Sequence, residues 1–252
     1  KKNYKEIKEF LGKSYSTSKI IPASAQQGVN IDEILKAIAE LEIPKKKLDG
    51  EPIFLVARSF DINKPGTSPS DLHGAVLGGT LKQGKLKVGD EIELKPGRKT
   101  SEEDGVDYIP IKTKVLNLFN GSEKVKELTP GGSMSIETEL DMVLGKNDAL
   151  AGNLVSHLNK LPAPSNEVKL KYTLFPKVLG ISSHIEVEKI QQNEVLMLSI
   201  NTSITGGNVT ALNEKEMKLS LKVPALFFKG DNVGIARKIQ GHWRLIGYGE
   251  TI

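Results

Sequence analysis

"GAVLGGTLKQGKLKVGDEIELKPG" (Gly74 to Gly97) is the stretch on which the fold turns. It holds two short apolar-rich runs, "GAVLGGTL" and "DEIELKPG", separated by glycine-containing turn chemistry, and it has no helical period. The same texture continues on both sides. "IFLVARSF" (Ile53 to Phe60) precedes it, and "YIPIKTKVLNLF" (Tyr108 to Phe119) and "GGSMSIET" (Gly131 to Thr138) follow. Five or more short strands joined by tight turns argue for a closed or nearly closed barrel.

A break at "NKLPAPSNE" (Asn159 to Glu167) is rich in proline and turn formers. Beyond it, "VKLKYTLF", "EVLMLSI", "NVTAL", "MKLSLKVPALF", "VGIARKI" and "WRLIGYGE" repeat the strand-rich pattern and predict a second β-domain. On the N-terminal side, "EIPKKKLDGEP" (Glu42 to Pro52) reads as a linker.

The first residues differ. Tyr4, Ile7, Phe10 and Leu11 share one helical face, and Ile31, Ile34, Leu35, Ile38 and Leu41 share another. Asn30 and Glu33 predict a capping-box start for the second helix. Between them, "SKIIPASAQQG" suits a strand leading into a loop. Helix, strand, loop, helix is the order found at the end of an α/β domain.

The chain has 252 residues, with 38% hydrophobic and 26% charged residues and a formal net charge of +4. That length can bury a core and permits two ordinary domains. The charge permits an anionic partner without demanding one, because lysines and acids are interspersed. No apolar run is long enough to cross a bilayer, so no membrane partner and a cytoplasmic location are expected. Cysteine is absent, which removes disulfides, thiol nucleophiles and cysteine-ligated zinc within these residues.

Catalytic constellations are missing from the pattern. His73, His157, His184 and His242 show neither metal-ligand nor triad spacing. Glu102, Glu103 and Asp104 fall in a charged stretch, Lys95 to Ile109, which reads as an exposed loop. Asn63 and Lys64 raise the guanine-specific Asn-Lys-x-Asp motif, but the fourth residue is Gly66, which has no carboxylate, so Lys64-Pro65-Gly66 reads as a turn. The pairs Gly78-Gly79, Gly131-Gly132 and Gly206-Gly207 precede no helix and so read as bulges and tight turns rather than phosphate cradles. No Gly-x-x-x-x-Gly-Lys-Ser/Thr occurs. Arg237, Lys238, His242, Trp243, Arg244 and Tyr248 combine cations with aromatic rings, as nucleic-acid surfaces do; a terminal strand with Trp243 and Tyr248 in the core and Arg237 and Arg244 on a solvated face explains them equally well.

"RSFDINKPGT", "GAVLGGTLKQGKLKVGDEIELKPG", "PGGSMSIET", "LGKNDALAGN" and "RKIQGHWRLIGYGE" together, in this order, resemble the γ subunit of archaeal and eukaryotic translation initiation factor 2. The resemblance implies a mainly β fold of two consecutive translation-factor barrels, residues 51–160 and 166–252. Before them, residues 1–46 would be an α/β remnant of a P-loop GTPase domain. It implies that the P-loop, the switches and the true Asn-Lys-x-Asp lie before Lys1 in a longer relative. This chain itself would then be no enzyme and need no cofactor, while the full-length family uses GTP and magnesium.

By the same resemblance, Ser24, Ala25 and Gln26 match the family's last guanine-contact motif, with the Ala25 amide meeting the guanine carbonyl. Methionylated initiator tRNA would lie along Arg58, Phe60, Asp61 and Lys64 with glycine turns at Gly78, Gly79, Gly131 and Gly132, and Arg237 and Arg244 are further candidates. Lys146 and Asp148 would anchor the α subunit. Delivery to the small ribosomal subunit and mRNA follows from the family, and the β-subunit site would be lost with the GTPase domain. The competing reading is the barrel part of a paralogue, the selenocysteine-specific or the ordinary aminoacyl-tRNA elongation factor.

Overall fold

A computed structural model describes residues 2–11, 17–102, 105–178 and 185–252. The chain divides into two compact units, Lys1–Lys45 and Lys46–Ile252.

The first unit carries α1 (Lys2–Leu11) and α2 (Ile31–Ala39). α2 starts differently from the capping-box expectation. Asn30 is left-handed at φ 57°, and its side-chain amide donates to the Pro22 carbonyl at 2.7 Å instead of capping the helix. Left-handed backbone suits asparagine, whose short polar side chain bonds locally. The predicted strand is also absent, because among the described residues no neighbouring strand pairs with it. Ser24 and Val29 form only an isolated antiparallel bridge that closes a turn through Gly28. No residue of α2 is buried.

The second unit is almost wholly β. Its strands are β1 (Ile53–Phe60), β2 (Val76–Gln83), β3 (Leu86–Lys87), β4 (Glu91–Glu102), β5 (Gly105–Asn120), β6 (Glu123–Val125), β7 (Glu127–Leu128), β8 (Met134–Thr138) and β9 (Leu154–His157). β10 (Ser165–Leu174), β11 (Val195–Ile200), β12 (Ser203–Leu212), β13 (Glu216–Ala225), β14 (Asn232–Ile239) and β15 (His242–Thr251) follow.

Six of the first nine close a barrel in the order β4-β9-β1-β2-β8-β5, because β5 pairs back to β4; β6 extends β5, and β3 and β7 form a separate ribbon. The last six close a second barrel, β10-β13-β12-β11-β14-β15. Closure leaves no open sheet edge in either ring. Alternation sets what points inward: in β10, Val168 and Leu170 are buried while Glu167, Lys169 and Lys171 are exposed.

The charged stretch Lys95 to Ile109 is a hairpin rather than a loop. Arg98, Lys99 and Thr100 of β4 pair with Ile109, Tyr108 and Asp107 of β5. Turn-like composition concealed the pairing. Gly97, at φ +101°, supplies the bulge and donates to Asn153 Oδ1 at 2.7 Å. Glu103 and Asp104 lie outside the described residues, as does His184.

Each barrel has its own core, built on Phe54, Val56, Leu77, Ile92, Leu94 and Ile136 in the first and Leu170, Leu198, Val209, Leu219, Ile235 and Ile246 in the second. A third apolar cluster joins them: Ile53 and Leu154 of the first barrel and Leu161 of the connection pack with Leu226 of the second. Beside it, Lys82 Nζ meets Asp231 Oδ1 at 2.5 Å.

Candidate binding surface

β1 ends in alternating residues with opposite tasks. Ser59 is buried; its hydroxyl accepts from Leu150 N–H at 3.0 Å, and its own N–H donates to Asp148 Oδ1 at 3.0 Å. Arg58 and Phe60 point out. The Arg58 Nε donates to the same Asp148 oxygen at 2.9 Å. These bonds hold the 3-10 segment Met142–Asp148 against the end of β1. Gly145 makes that approach possible, since a Cβ there would lie 2.8 Å from the Phe60 carbonyl oxygen.

Within this segment Asn147 and Asp148 are both left-handed, at φ 56° each. Non-glycine residues hold such backbone only where the surroundings over-determine it. The Arg58 hydrogen bond first, and the Ser59 N–H second, hold the Asp148 carboxyl below the usual aspartate range.

Asp61 sits next along the chain. Its Oδ1 accepts Asn63 N–H at 2.9 Å and Asn63 Nδ2 at 2.7 Å, and its Oδ2 faces Lys146 Nζ at 3.5 Å. The Asn63 bonds chiefly, with help from Lys146, lower its pKa. Asn63 therefore works as a staple rather than a base reader. Its Oδ1 accepts His73 N–H at 2.8 Å while its Nδ2 donates to the His73 carbonyl at 2.7 Å, closing the loop between β1 and β2. Lys64 opens a turn whose carbonyl accepts Thr67 N–H at 3.1 Å, with Gly66 at φ +86° in the third place; the Lys64 side chain is exposed.

The four glycines of the expected edge have two different roles. Gly78 and Gly79 lie inside β2, not in turns, opposite a bulge between Val56 and Arg58. A Cβ on Gly79 would fall 1.9 Å from the Leu55 carbonyl oxygen, so close strand approach explains the residue. Gly131 and Gly132 do form a turn, at φ +114° and +93°. Thr80 Oγ1 donates to the Gly132 carbonyl at 3.3 Å and ties that turn to β2. Because Arg58 pairs with Gly78 and Gly78 with Ser135, Arg58, Phe60 and Gly78 share the outward side of β1-β2-β8, whereas Gly79, opposite the buried Val56, turns to the inner side.

Arg237 and Arg244 are elsewhere, paired across β14 and β15 of the second barrel. Arg237 departs from its expected role. Its side chain is only 16% exposed, its Nε reaches Glu194 Oε1 at 2.5 Å, and its Nη atoms donate to the Glu188 and Lys189 carbonyls at 2.9 and 3.2 Å. A guanidinium satisfied on every side by its own fold holds a loop to the barrel and offers no phosphate site. Arg244 is half-buried. Trp243 and Tyr248 are exposed, and the Tyr248 ring lies 5.9 Å from that of Phe175.

Ser24, Ala25 and Gln26 form the turn of the first unit. Ser24 spends its backbone on Val29, while Ala25 and Gln26 are exposed and the Ala25 N–H has no protein acceptor among the described residues. The described histidines are structural or solvent-facing: His73 meets the buried Glu137 at 2.7 Å, His157 bridges Glu51 and Asp90 at 2.8 and 3.2 Å, and His242 is exposed. Among the described residues no His, Asp or Glu cluster is placed to hold a metal ion, and no helix is long and apolar enough to cross a membrane.

Residues 166–251 match the family described as "Initiation factor eIF2 gamma, C terminal". Across 249 residues, 98% of this chain, it is 46% identical to translation initiation factor 2 subunit gamma of Pyrococcus furiosus and 45% identical to that of Archaeoglobus fulgidus. The chain spans 61% and 58% of the length of these curated relatives. Among solved structures it resembles a bacterial selenocysteine-specific elongation factor, with a TM-score of 0.71 at 20% identity over 98% of this chain and 36% of that one. It resembles the elongation factor SelB of Methanococcus maripaludis equally, with a TM-score of 0.71 at 19% identity over 99% of this chain and 54% of that one. At such identity the likeness shows the shared fold alone.

Proposed function

We propose that the chain belongs to the γ-subunit family of translation initiation factor 2 and that its two barrels form a binding module for initiator tRNA and the α subunit. In this reading residues 51–160 and 166–252 are the two barrel domains, and residues 1–46 belong to the GTPase domain. The complete factor, charged with GTP, carries methionyl initiator tRNA to the small ribosomal subunit and its mRNA.

The observation that carries the reading is the β1-β2-β8 face. It joins an outward Arg58 to an exposed Phe60, whose ring edge lies over Gly78, 3.3 Å from where a Cβ would sit. A cation can hold phosphate there and an aromatic ring can meet a base or ribose. Lys64, exposed on the neighbouring turn, adds a second phosphate contact. The segment Gly145 to Gly152 presents Lys146 and the open side of Asp148 to the α subunit.

The Ala25 N–H fits a guanine carbonyl acceptor, so the Ser24–Gln26 turn would hold the base of GTP from one side. The phosphates and magnesium have no residue to rest on here, because the sequence contains no phosphate-binding motif. Hydrolysis is thus a property proposed for the complete factor only. The identity of nearly half the chain to archaeal initiation factor subunits favours initiation over the two elongation-factor readings.

Calorimetric titration of the chain with an archaeal initiation factor 2 α subunit tests the proposal. One-to-one binding that needs no GTP is expected. A folded chain that binds no α subunit overturns the assignment.

A further inference from the structure

A cleft of about 410 Å³ lies between the two barrels. The β4-β5 hairpin supplies Lys99 and Tyr108, the loop before β9 supplies Ala151, and the turn from β11 into β12 supplies Thr202, Ser203 and Ile204.

Hydrogen bonds fix these walls in place. Asn153 fastens the hairpin to the loop: its Oδ1 accepts the Gly97 N–H at 2.7 Å, and its Nδ2 donates to the Gly97 carbonyl at 3.3 Å and the Leu150 carbonyl at 3.0 Å. Gly152, at φ +86°, brings the loop against the second barrel, where an added Cβ would lie 3.3 Å from Ser203 Cα. In that barrel Thr205 Oγ1 donates to the Val223 carbonyl and accepts the Val223 N–H, both at 2.9 Å, which pins β12 to β13. The cleft is therefore preformed, as ligand sites usually are.

Its polar groups are left over from folding. Thr202 Oγ1 is buried and has no hydrogen-bond partner among the described residues. The hydroxyl of Ser203, a residue only 8% exposed, has none there either, nor do the Tyr108 hydroxyl and the Lys99 ammonium. Buried polar side chains are paired in the large majority of cases, so an unpaired one needs a reason. Burial raises the pKa of Tyr108, and its phenol stays protonated as a donor. Lys99 is the one charged side chain among the described residues of the lining. Three hydroxyl donors and an ammonium, with no carboxylate among them, favour an anion.

We propose that this cleft binds a small organic phosphomonoester. Lys99 and the hydroxyls of Tyr108, Thr202 and Ser203 hold its phosphate, and Ala151 and Ile204 take its carbon body. Donors arriving from both barrels suit three free phosphate oxygens better than the two of a carboxylate. Because the lining is drawn from both barrels, the bound ester ties them together and stabilises the folded chain by mass action.

Ala151 lies in the segment proposed for the α subunit, so the test uses the chain without that subunit. Phenyl phosphate, inorganic phosphate and phenol are titrated at fixed ionic strength into the wild type, Lys99→Gln and Thr202→Val, with amide NMR shifts as the readout. Phenyl phosphate is expected to shift the amides of Lys99, Tyr108, Ala151 and Thr202 to Ile204 and to bind more tightly than inorganic phosphate, while phenol leaves them in place. Each substitution should weaken phenyl phosphate about tenfold. The Lys99 side chain is exposed, so Lys99→Gln carries the test even where Thr202→Val does not fold. Phenyl phosphate without shifts at these amides, or with shifts that Lys99→Gln leaves undiminished, overturns the site. Phenol binding as tightly as its phosphate overturns the anion, and inorganic phosphate binding as tightly as phenyl phosphate overturns the organic ester.

Discussion

Lys82 of the first barrel and Asp231 of the second share an ion pair of 2.5 Å at their junction. The Asp231 side chain is 4% exposed and also accepts the Phe228 N–H and the Asn201 amide, each at 2.9 Å. Burial opposes its ionisation, and Lys82 followed by these donors more than offsets that, so its pKa stays below the aspartate norm. The contribution to stability is present above about pH 3.8 and is lost as the pH falls through the lower folded value.

Asp231→Ala leaves Lys82, Asn201 and a backbone N–H without their acceptor. Lys82 is 41% exposed and can turn to water, so the loss expected in urea unfolding is about 1–3 kcal/mol, the cost of leaving the other donors unpaired. A loss under about 1 kcal/mol, the range of exposed pairs, would show that the junction is wet and the pair incidental.

Gly79→Ala and Gly78→Ala differ by one position and should differ sharply in effect. The new methyl at 79 strikes the Leu55 carbonyl oxygen, whereas at 78 its nearest neighbour is the Phe60 ring edge at 3.3 Å. Chemical denaturation should show about 1–3 kcal/mol lost at Gly79 and distinctly less at Gly78. Equal losses would contradict the close-approach account.

Much of this was legible beforehand. Alternation and turn residues exposed both barrels, and the stretch RSFDINKPGT contains Arg58 and Phe60, which the period of two sets together on the outward side of β1. The Lys95–Ile109 hairpin was hidden because Pro96, Gly97, Gly105 and a run of charged residues interrupt any alternation, which leaves no period to read. Ser59 gave no signal at all, since a buried serine in a strand looks like any small residue. Asn63 stands in sequence beside the Lys64-Pro65-Gly66 turn, while its cross-loop bonds to His73 depend on a partner ten residues away that spacing does not reveal. Arg237 looked available in sequence because the loop carbonyls that occupy it carry no side-chain signature.

Asn63→Ala should loosen the loop between β1 and β2 without melting the barrel. About 1–3 kcal/mol of local protection should vanish at the His73 amide, measured by native-state hydrogen exchange. Unchanged exchange there would remove the staple role.

His157 gives the first barrel an alkaline sensitivity. Burial, the largest single influence, lowers its pKa, but its hydrogen bonds to Glu51 and Asp90 together with their charges raise it above the usual 6.5. Lys160 also faces Glu51, at 3.2 Å. Since the folded value lies above the unfolded one, the stabilisation is complete below about pH 6.5 and is lost as the pH rises through the folded value. The melting-temperature gap between wild type and His157→Gln should therefore shrink from about pH 6 to about pH 9. A gap that widens over that range would contradict the assignment.

Hydrogen exchange of the chain with and without the α subunit tests the central claim most directly. The account predicts slowed exchange at the Ser59 to Asp61 amides and across Met142 to Gly152, with the second barrel unchanged. Slowing confined to β10–β15, or binding with no change at these amides, would contradict it.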